Sequence, residues 1–400
     1  MSNEISADEI IINPLCRGSM EKYCFFIGTS WSDRPISPYF RALADALVKK
    51  GHQVVILVFG ENRVAEDHRA NPAIYNWPSR RPVKVQDAFF LRNLVKIYKT
   101  DCTIANFDAK NIMMSMSWLS GVPCRVSWHH TLSKQIERDT QLPKSKLRFL
   151  RLRRRFIYLL ATHIVTNSQA TQTDVMNVYH IPSRKCKVHN PMLPDPLQHE
   201  LDKEMVKMEA NKVVCVGRFH PSKGQDVLIK AIALLKHLDF YVEFVGSGST
   251  KDQCLHLAGE LQVDYMCEFA GFVPHDQVLE KMASAQAVVV PSRREAFGLV
   301  NVESLAVGTP VIASRVDGIR EIIRDEVDGF LVEADDPEAL SEKLATLLLN
   351  PDLREEMSVN ARQQFLTMFY QGNNINQHAE WYERIVKNAP PRSGVLGTLK

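Results

Sequence analysis

The sequence has no Cys-x-x-Cys pair, although it holds eight cysteines: Cys16, Cys24, Cys102, Cys124, Cys186, Cys215, Cys254 and Cys267. Their scatter suggests neither a zinc site nor a disulfide framework, and a reducing cytoplasm is the simpler setting. No apolar run reaches the roughly 18 residues that a membrane-crossing helix needs, so none is expected. The first ten residues, MSNEISADEI, are polar and acidic and lack the basic and apolar regions of a secretory signal. Excess charge of one sign is also missing. The formal net charge is only +3, which gives no argument for nucleic acid as a partner.

What is present is an ordinary soluble composition, 45% hydrophobic and 24% charged over 400 residues, enough for two domains with a core each. Residues 1–20 read as a tail. A strand is expected at 23–28, followed by the turn-rich loop TSWSDRPISP. A helix is expected over 38–50 with Ser37 as N-cap, then a buried strand, QVVILVF, at 53–59. That order predicts a βαβ unit of a parallel sheet. More strands are expected at 102–106, 124–128 and 163–167. The polar stretch 191–211 reads as a linker. A second series follows, with strands KVVCVG, YVEFVG, CEFAG, AVVVPS, PVIAS and GFLVE, and helices that include 224–237 and 337–349. The fold class expected is α/β, with two successive doubly wound domains. Ligands of such sheets bind beyond the C-terminal strand ends, which makes the cleft between the domains the default site.

Three segments carry chemistry. In VVCVGRFHPSKGQDVL a strand ends at Gly217, and Arg218 and Lys223 follow in one loop before a helix. A guanidinium fork and a mobile ammonium suit a diphosphate. Two ordinary cations on a solvated loop suit the same letters, and the segment alone leaves both readings open. In VVVPSRREAFGLVNVESLAVGTPVIAS, Glu295 lies in the loop after a buried strand and Glu303 eight positions later on a helix. Amides near Phe297, Gly298, Leu299 and Val300 are expected at that helix start, where phosphate oxygens fit. Glu303 can accept two hydroxyl hydrogens of a ribose diol. It equally fits a salt-bridged helix residue, and Glu295 beside Arg293 and Arg294 fits a loop ion pair. The third segment, VEFVGSGS, turns at Gly246, Ser247 and Gly248. With GFVPHDQV, which includes Phe272 and Val273, its backbone could hold a nucleobase edge.

In order, these pieces resemble the retaining glycosyltransferases of family four: G-R-x(4)-K-G at 217–224, V-G-x-G at 245–248, G-x-V at 271–273, P-S-x-x-E-x-F-G-L-x-x-x-E at 291–303, then G-T-P-V-I-A-S. The resemblance covers residues 212–350 and, more loosely, 23–190. It implies the GT-B fold, two Rossmann-like domains facing across a cleft, with a C-terminal helix crossing back to the first. Domain bounds are expected at 1–195, with about 371–400 returning, and 196–370. The resemblance implies that Arg218 and Lys223 hold the diphosphate of a nucleotide-sugar donor and stabilise the leaving group, so that no metal and no cofactor is needed. It gives Glu303 the ribose, Glu295 the donor-sugar hydroxyls, and the amides of Phe297, Gly298, Leu299 and Val300 the sugar or phosphate. GVPCRVSWHHTL resembles the family's G-x-P-x(5)-H, which falls on His129 as a hydrogen-bond partner of the donor sugar. His130 is its neighbour, and a structural histidine at a strand end is the other reading of His129. Two departures stand out. No glycine pair follows Gly28, which leaves Arg34 or Ser37 to contact donor or acceptor. The family's GGxPE reads DGIRE at 317–321.

The resemblance further implies a UDP-sugar, with a GDP-sugar next, and a glycan, glycolipid or other lipid-linked acceptor in cell-envelope or polysaccharide synthesis. A sugar-nucleotide epimerase or a nucleotide-sugar-binding protein with a silent site are the competing readings. Residues 144–155 carry seven cations and no acid, interleaved with leucine and phenylalanine. That pattern suits a peripheral helix on an anionic membrane face, an anionic acceptor, or a solvated domain helix with residues 156–160 in the core.

Overall fold

The computed structural model describes residues 22–31, 36–61, 63–135, 142–199 and 208–391. It clusters into two compact units. The first comprises the described residues within Met1–Asn167, Thr171–Asn190 and Asn374–Lys400, and the second Ser168–Ala170 and Pro191–Asn373.

The first unit holds a seven-stranded sheet: β1 (Cys24–Ser30), β2 (Gln53–Phe59), β3 (Ala73–Asn76), β4 (Cys102–Ala105), β5 (Cys124–His129), β6 (His163–Thr166) and β7 (Cys186–Val188). All neighbours pair in parallel, in the order β3-β2-β1-β4-β5-β6-β7. Buried β-branched and aromatic runs such as CFFIG and QVVILVF suit strands covered on both faces. Helices α1 (Ile36–Lys49), α2 (Val85–Tyr98), α3 (Lys110–Leu119), α4 (Lys144–Leu160) and α5 (Gln169–Tyr179) connect them. Two expectations are corrected here. Ser37 does not cap α1: it lies inside the helix, buried, with Oγ 2.9 Å from Ser30 Oγ. The short strands β3 and β7 were missed, because four and three residues give too little alternation to detect.

The second unit holds β8 (Lys212–Val216), β9 (Tyr241–Val245), β10 (Cys267–Gly271), β11 (Ala287–Val290), β12 (Val311–Ser314) and β13 (Gly329–Val332), in the parallel order β10-β9-β8-β11-β12-β13. Its longer helices are α6 (Gln225–Leu234), α7 (Lys251–Glu260), α8 (His275–Ala283), α9 (Leu299–Val307), α10 (Pro337–Leu349) and α11 (Pro351–Gln364). The period of two sends alternate residues to opposite faces. Val213 and Cys215 join one core with Phe219, Phe240 and Phe244, while Val214, Val288 and Val290 join the other with Phe297, Leu305 and Phe365. A doubly wound sheet with a core on each face results.

After a π-helical turn at Phe365–Phe369, α12 (Gln371–Lys387) is the last helix of the described residues and belongs to the first unit from Asn374 onward. Its buried face is Ile375, Ala379, Tyr382, Ile385 and Val386, spaced as one helical stripe. Tyr39 hydroxyl lies 2.8 Å from His378 Nδ1, and the indole of Trp128 donates to Tyr382 hydroxyl at 2.8 Å.

Candidate functional site

In the second unit the strand order reverses between β8 and β11. That is the switch point where an open parallel sheet leaves a crevice at its C-terminal edge. The loops leaving those two strands are the ones that carry Arg218, Lys223 and Glu295.

Loop one begins with Gly217 after β8. His220 caps a single 3₁₀ turn at Pro221–Lys223, its ring accepting the Ser222 amide at 3.3 Å, and Lys223 amide returns to the His220 carbonyl at 2.8 Å. Gly224 then adopts φ 69°, and a side chain there would meet the Pro291 carbonyl oxygen at 2.0 Å. The left-handed backbone and the missing Cβ together let loop one close onto the end of β11. Arg218 is exposed, and its carbonyl accepts Gln225 Nε2 at 3.2 Å.

Loop two, after β11, is joined to loop one by Arg293. Its amide donates to Ser222 carbonyl at 2.8 Å and its guanidinium to Pro221 carbonyl at 2.7 Å. The same guanidinium holds Asp226 at 2.8 and 2.7 Å through both carboxylate oxygens, and Asp335 at 2.5 Å. Burial pushes the Asp226 carboxyl up, but the hydrogen bonds and charge of Arg293 outweigh it and hold the group below its ordinary value. With the loops fixed, Lys223 Nζ lies 2.5 Å from Glu295 Oε2, both side chains mostly covered. Glu295 therefore pairs with Lys223, and Arg293 with the two aspartates, in place of the Glu295–Arg293 loop pair that adjacency suggests. The DGIRE segment supports this loop from behind, Gly318 amide donating to Glu295 carbonyl at 3.1 Å.

Helix α9 follows. Gly298, in the left-handed region, is its N-cap, and no side chain caps it. Leu299 and Val300 open the helix half-buried. The Phe297 side chain is 2% exposed within the core, so only its backbone faces the loop chemistry. Glu303, one turn on, is buried, with His275 Nε2 at 3.8 Å from its carboxylate.

The V-G-S-G turn also holds the neighbouring loops together. Gly217 amide donates to Val245 carbonyl at 2.9 Å, Phe219 amide to Ser247 carbonyl at 3.0 Å, and Gly246 amide to Gly271 carbonyl at 2.7 Å. A Cβ on Gly246 would sit 2.1 Å from the Gly217 carbonyl oxygen. Gly246, Ser247 and Gly248 thus stitch the Arg218 loop to the end of β10, and the Gly246 N–H is already used. Phe272 just beyond is 78% exposed, while Val273 packs against the core.

His129 ends β5 in the first unit and is 2% exposed. Its Nδ1 lies 2.6 Å from Tyr158 hydroxyl and its Nε2 3.6 Å from Asp174, which also accepts the Ser133 hydroxyl at 2.6 Å. Burial lowers the imidazole to about 4 against the pull of Asp174, which keeps the ring neutral at pH 7. His130 is stacked between the rings of Phe107 at 4.4 Å and Trp128 at 5.3 Å, both ring nitrogens buried without hydrogen bonds. Arg34 lies outside the described residues. Sequence reasoning missed Asp226, Arg293 as its clamp, and His275. Asp226 and Arg293 are 67 positions apart, so no local spacing signals the pair.

Two successive doubly wound parallel sheets of this order match the two Rossmann-like domains of the GT-B fold. The model of "Glycosyl transferases group 1" matches residues 198–364 and that of "Glycosyltransferase Family 4" residues 36–192. Together they account for most of the chain, and the protein belongs to the family-four glycosyltransferases. An uncharacterised glycosyltransferase of Methanocaldococcus jannaschii is 25% identical over 342 residues, 80% of this chain and 87% of the relative. D-inositol 3-phosphate glycosyltransferase of Corynebacterium glutamicum is 28% identical over 368 residues, 81% and 85% of the two chains. Among solved structures, Anabaena HepE in complex with UDP superimposes with a TM-score of 0.70 at 19% identity, over 91% of this chain and all of that one.

Proposed function

We propose that the protein transfers a sugar, with retained configuration, from a nucleoside-diphosphate sugar to a glycan, glycolipid or other lipid-linked acceptor of cell-envelope or polysaccharide synthesis. The observation that carries this reading is the meeting of Lys223 and Glu295 at the β8/β11 switch point, beside an uncapped helix start. In the reaction, the bond from anomeric carbon to phosphate oxygen breaks and the acceptor oxygen bonds the same carbon on the same face. The acceptor's proton leaves with the diphosphate. Arg218 and Lys223 hold that growing charge, as do the amides of Gly298, Leu299 and Val300, so the proposal requires no metal and no cofactor. Glu295 takes the donor-sugar hydroxyls, Glu303 the ribose, and His129, as a neutral imidazole, the sugar from the first unit. The donor's nucleotide is UDP, with GDP second; the UDP-bound neighbour HepE supports that order. An acceptor presented at an anionic membrane face suits the basic helix α4.

A panel of UDP- and GDP-sugars, assayed for nucleotide release with and without simple acceptors and in the presence of EDTA, tests the reading. Acceptor-stimulated UDP release that survives EDTA is expected. Donor epimerisation without transfer, or tight binding without turnover, would replace the transferase with one of its competitors.

A further inference from the structure

Helix α4 carries two faces, one packed within its unit and, among the described residues, one exposed. Ile157, Tyr158 and Leu160 are buried, with Tyr158 bonded to His129 and Arg154 reaching Tyr179 hydroxyl at 3.3 Å. Yet Phe149, Leu152, Phe156 and Leu159 are 63, 58, 57 and 53% exposed. These four stand at i, i+3, i+7 and i+10, so they form one stripe along the helix. Of the three readings of this stretch, the one with residues 156–160 together in the core does not hold: the segment splits between the two faces. Rolling the helix to bury the stripe would pull Tyr158 and Arg154 off their partners.

Cations flank the stripe. At about 100° per residue, Arg148, Arg151 and Arg155 border one side, and Lys146 and Arg153 the other. All five are exposed, and the helix holds no acid. Exposed phenylalanine and leucine between two rows of positive charge match the section of a bilayer surface, where acyl chains lie just below anionic headgroups. A protein groove of acidic residues would satisfy the charges but has no counterpart here to specify it. Among the described residues no helix is long and apolar enough to cross a membrane.

We infer that α4 docks the protein on an anionic lipid surface, with Phe149, Leu152, Phe156 and Leu159 entering the headgroup–acyl boundary and the flanking cations on lipid phosphates. The inference deepens the proposed membrane-side acceptor, but its test does not depend on the transferase reaction. The full chain is sedimented with phosphatidylcholine vesicles, with and without about one-third phosphatidylglycerol, at low and high salt. Binding is expected only with phosphatidylglycerol, weakened by salt. R148Q/R153Q/R155Q should bind on the order of 100-fold more weakly, at roughly fivefold per cation. F149S/L152S/F156S should lose at least tenfold and leave the remaining binding more salt-sensitive. The same variants should keep nucleotide-sugar turnover with a soluble acceptor, which separates failure of docking from failure of the enzyme. Equal binding to both vesicles, no binding to either, or an apolar variant that binds like the parent overturns the inference. A parent dimer that F149S/L152S/F156S converts to monomer also overturns it, assigning the stripe to a second copy of the chain.

Discussion

Lys223 Nζ and Glu295 Oε2 lie 2.5 Å apart, brought together from the ends of β8 and β11, 72 positions distant in the chain. In the proposed reaction the pair combines a group that attracts the diphosphate with one that accepts sugar hydroxyls. Lys223→Ala should lower the transfer rate by about 100- to 1,000-fold, the order expected when a charge-stabilising donor is removed from a leaving group. Glu295→Gln keeps the shape and loses the charge, and should affect donor-sugar selectivity as well as rate. Initial rates with several UDP-sugars check both. Near-parent rates in the two variants would remove this pair from the donor site.

Arg293 acts at one remove. It touches Asp226, Asp335 and the Pro221 carbonyl rather than the groups proposed to meet the donor. Arg293→Met should free the 3₁₀ turn that carries Lys223, raising donor KM and lowering kcat. Since the ion pairs are half-exposed, its cost in stability should be only about 1 kcal/mol. Asp226 is held below its ordinary value of 3.8, so whatever the pair contributes is present above pH 3.8 and is lost as the pH falls through the folded-state value. A large unfolding effect without change in KM would make Arg293 a purely structural staple.

The sequence was most readable where a motif and a buried strand coincide. Apolar runs such as KVVCVG and AVVVPS mark β8 and β11, and the letters just after them mark Arg218, Lys223 and Glu295. What the letters cannot carry is pairing between distant loops: nothing near Arg293 announces Asp226, and Glu295 looks like a partner for the arginines beside it. Ser37 illustrates a local error. A serine before proline reads as an N-cap, yet the helix starts one residue earlier and Ser37 turns inward to Ser30. At Gly246 the letters show a tight turn but not what it packs on: a Cβ there would meet the Gly217 carbonyl of the Arg218 loop. The two faces of α4 needed coordinates, since periodicity gives stripes without saying which one is covered.

His129 sets a pH dependence for the first unit. Its ordinary value is 6.5 and its folded value about 4, lowered by burial. Between those values the unfolded chain binds a proton that the folded chain does not, so stability falls as pH drops from about 6.5 to 4 and is fully kept above 6.5. The shift corresponds to about 3 kcal/mol at most. Proton uptake on unfolding at pH 5 should fall by about one in His129→Gln, measured by urea titrations at neighbouring pH values. His189 and His378 are also buried and lowered, so a slope should remain in the variant. An unchanged slope would mean that His129 is already protonated in the folded state.

Trp128 and Tyr382 test how the last helix is held. The indole N–H donates to the Tyr382 hydroxyl at 2.8 Å, with both rings buried and Tyr39 and Phe40 packed edge-on against the indole. Tyr382→Phe leaves the ring in place and removes the acceptor, so the indole N–H is stranded away from water. That should cost about 1–3 kcal/mol, or a few degrees of Tm at roughly 2–4 °C per kcal/mol for a unit of this size. Trp128→Phe removes the stranded donor but opens a cavity in its place. Adding Tyr382→Phe to Trp128→Phe should therefore cost less than it does in the parent, because no indole is left to strand. Strict additivity of the two changes in thermal and urea unfolding would show that the bond does not help to hold α12 on the first unit.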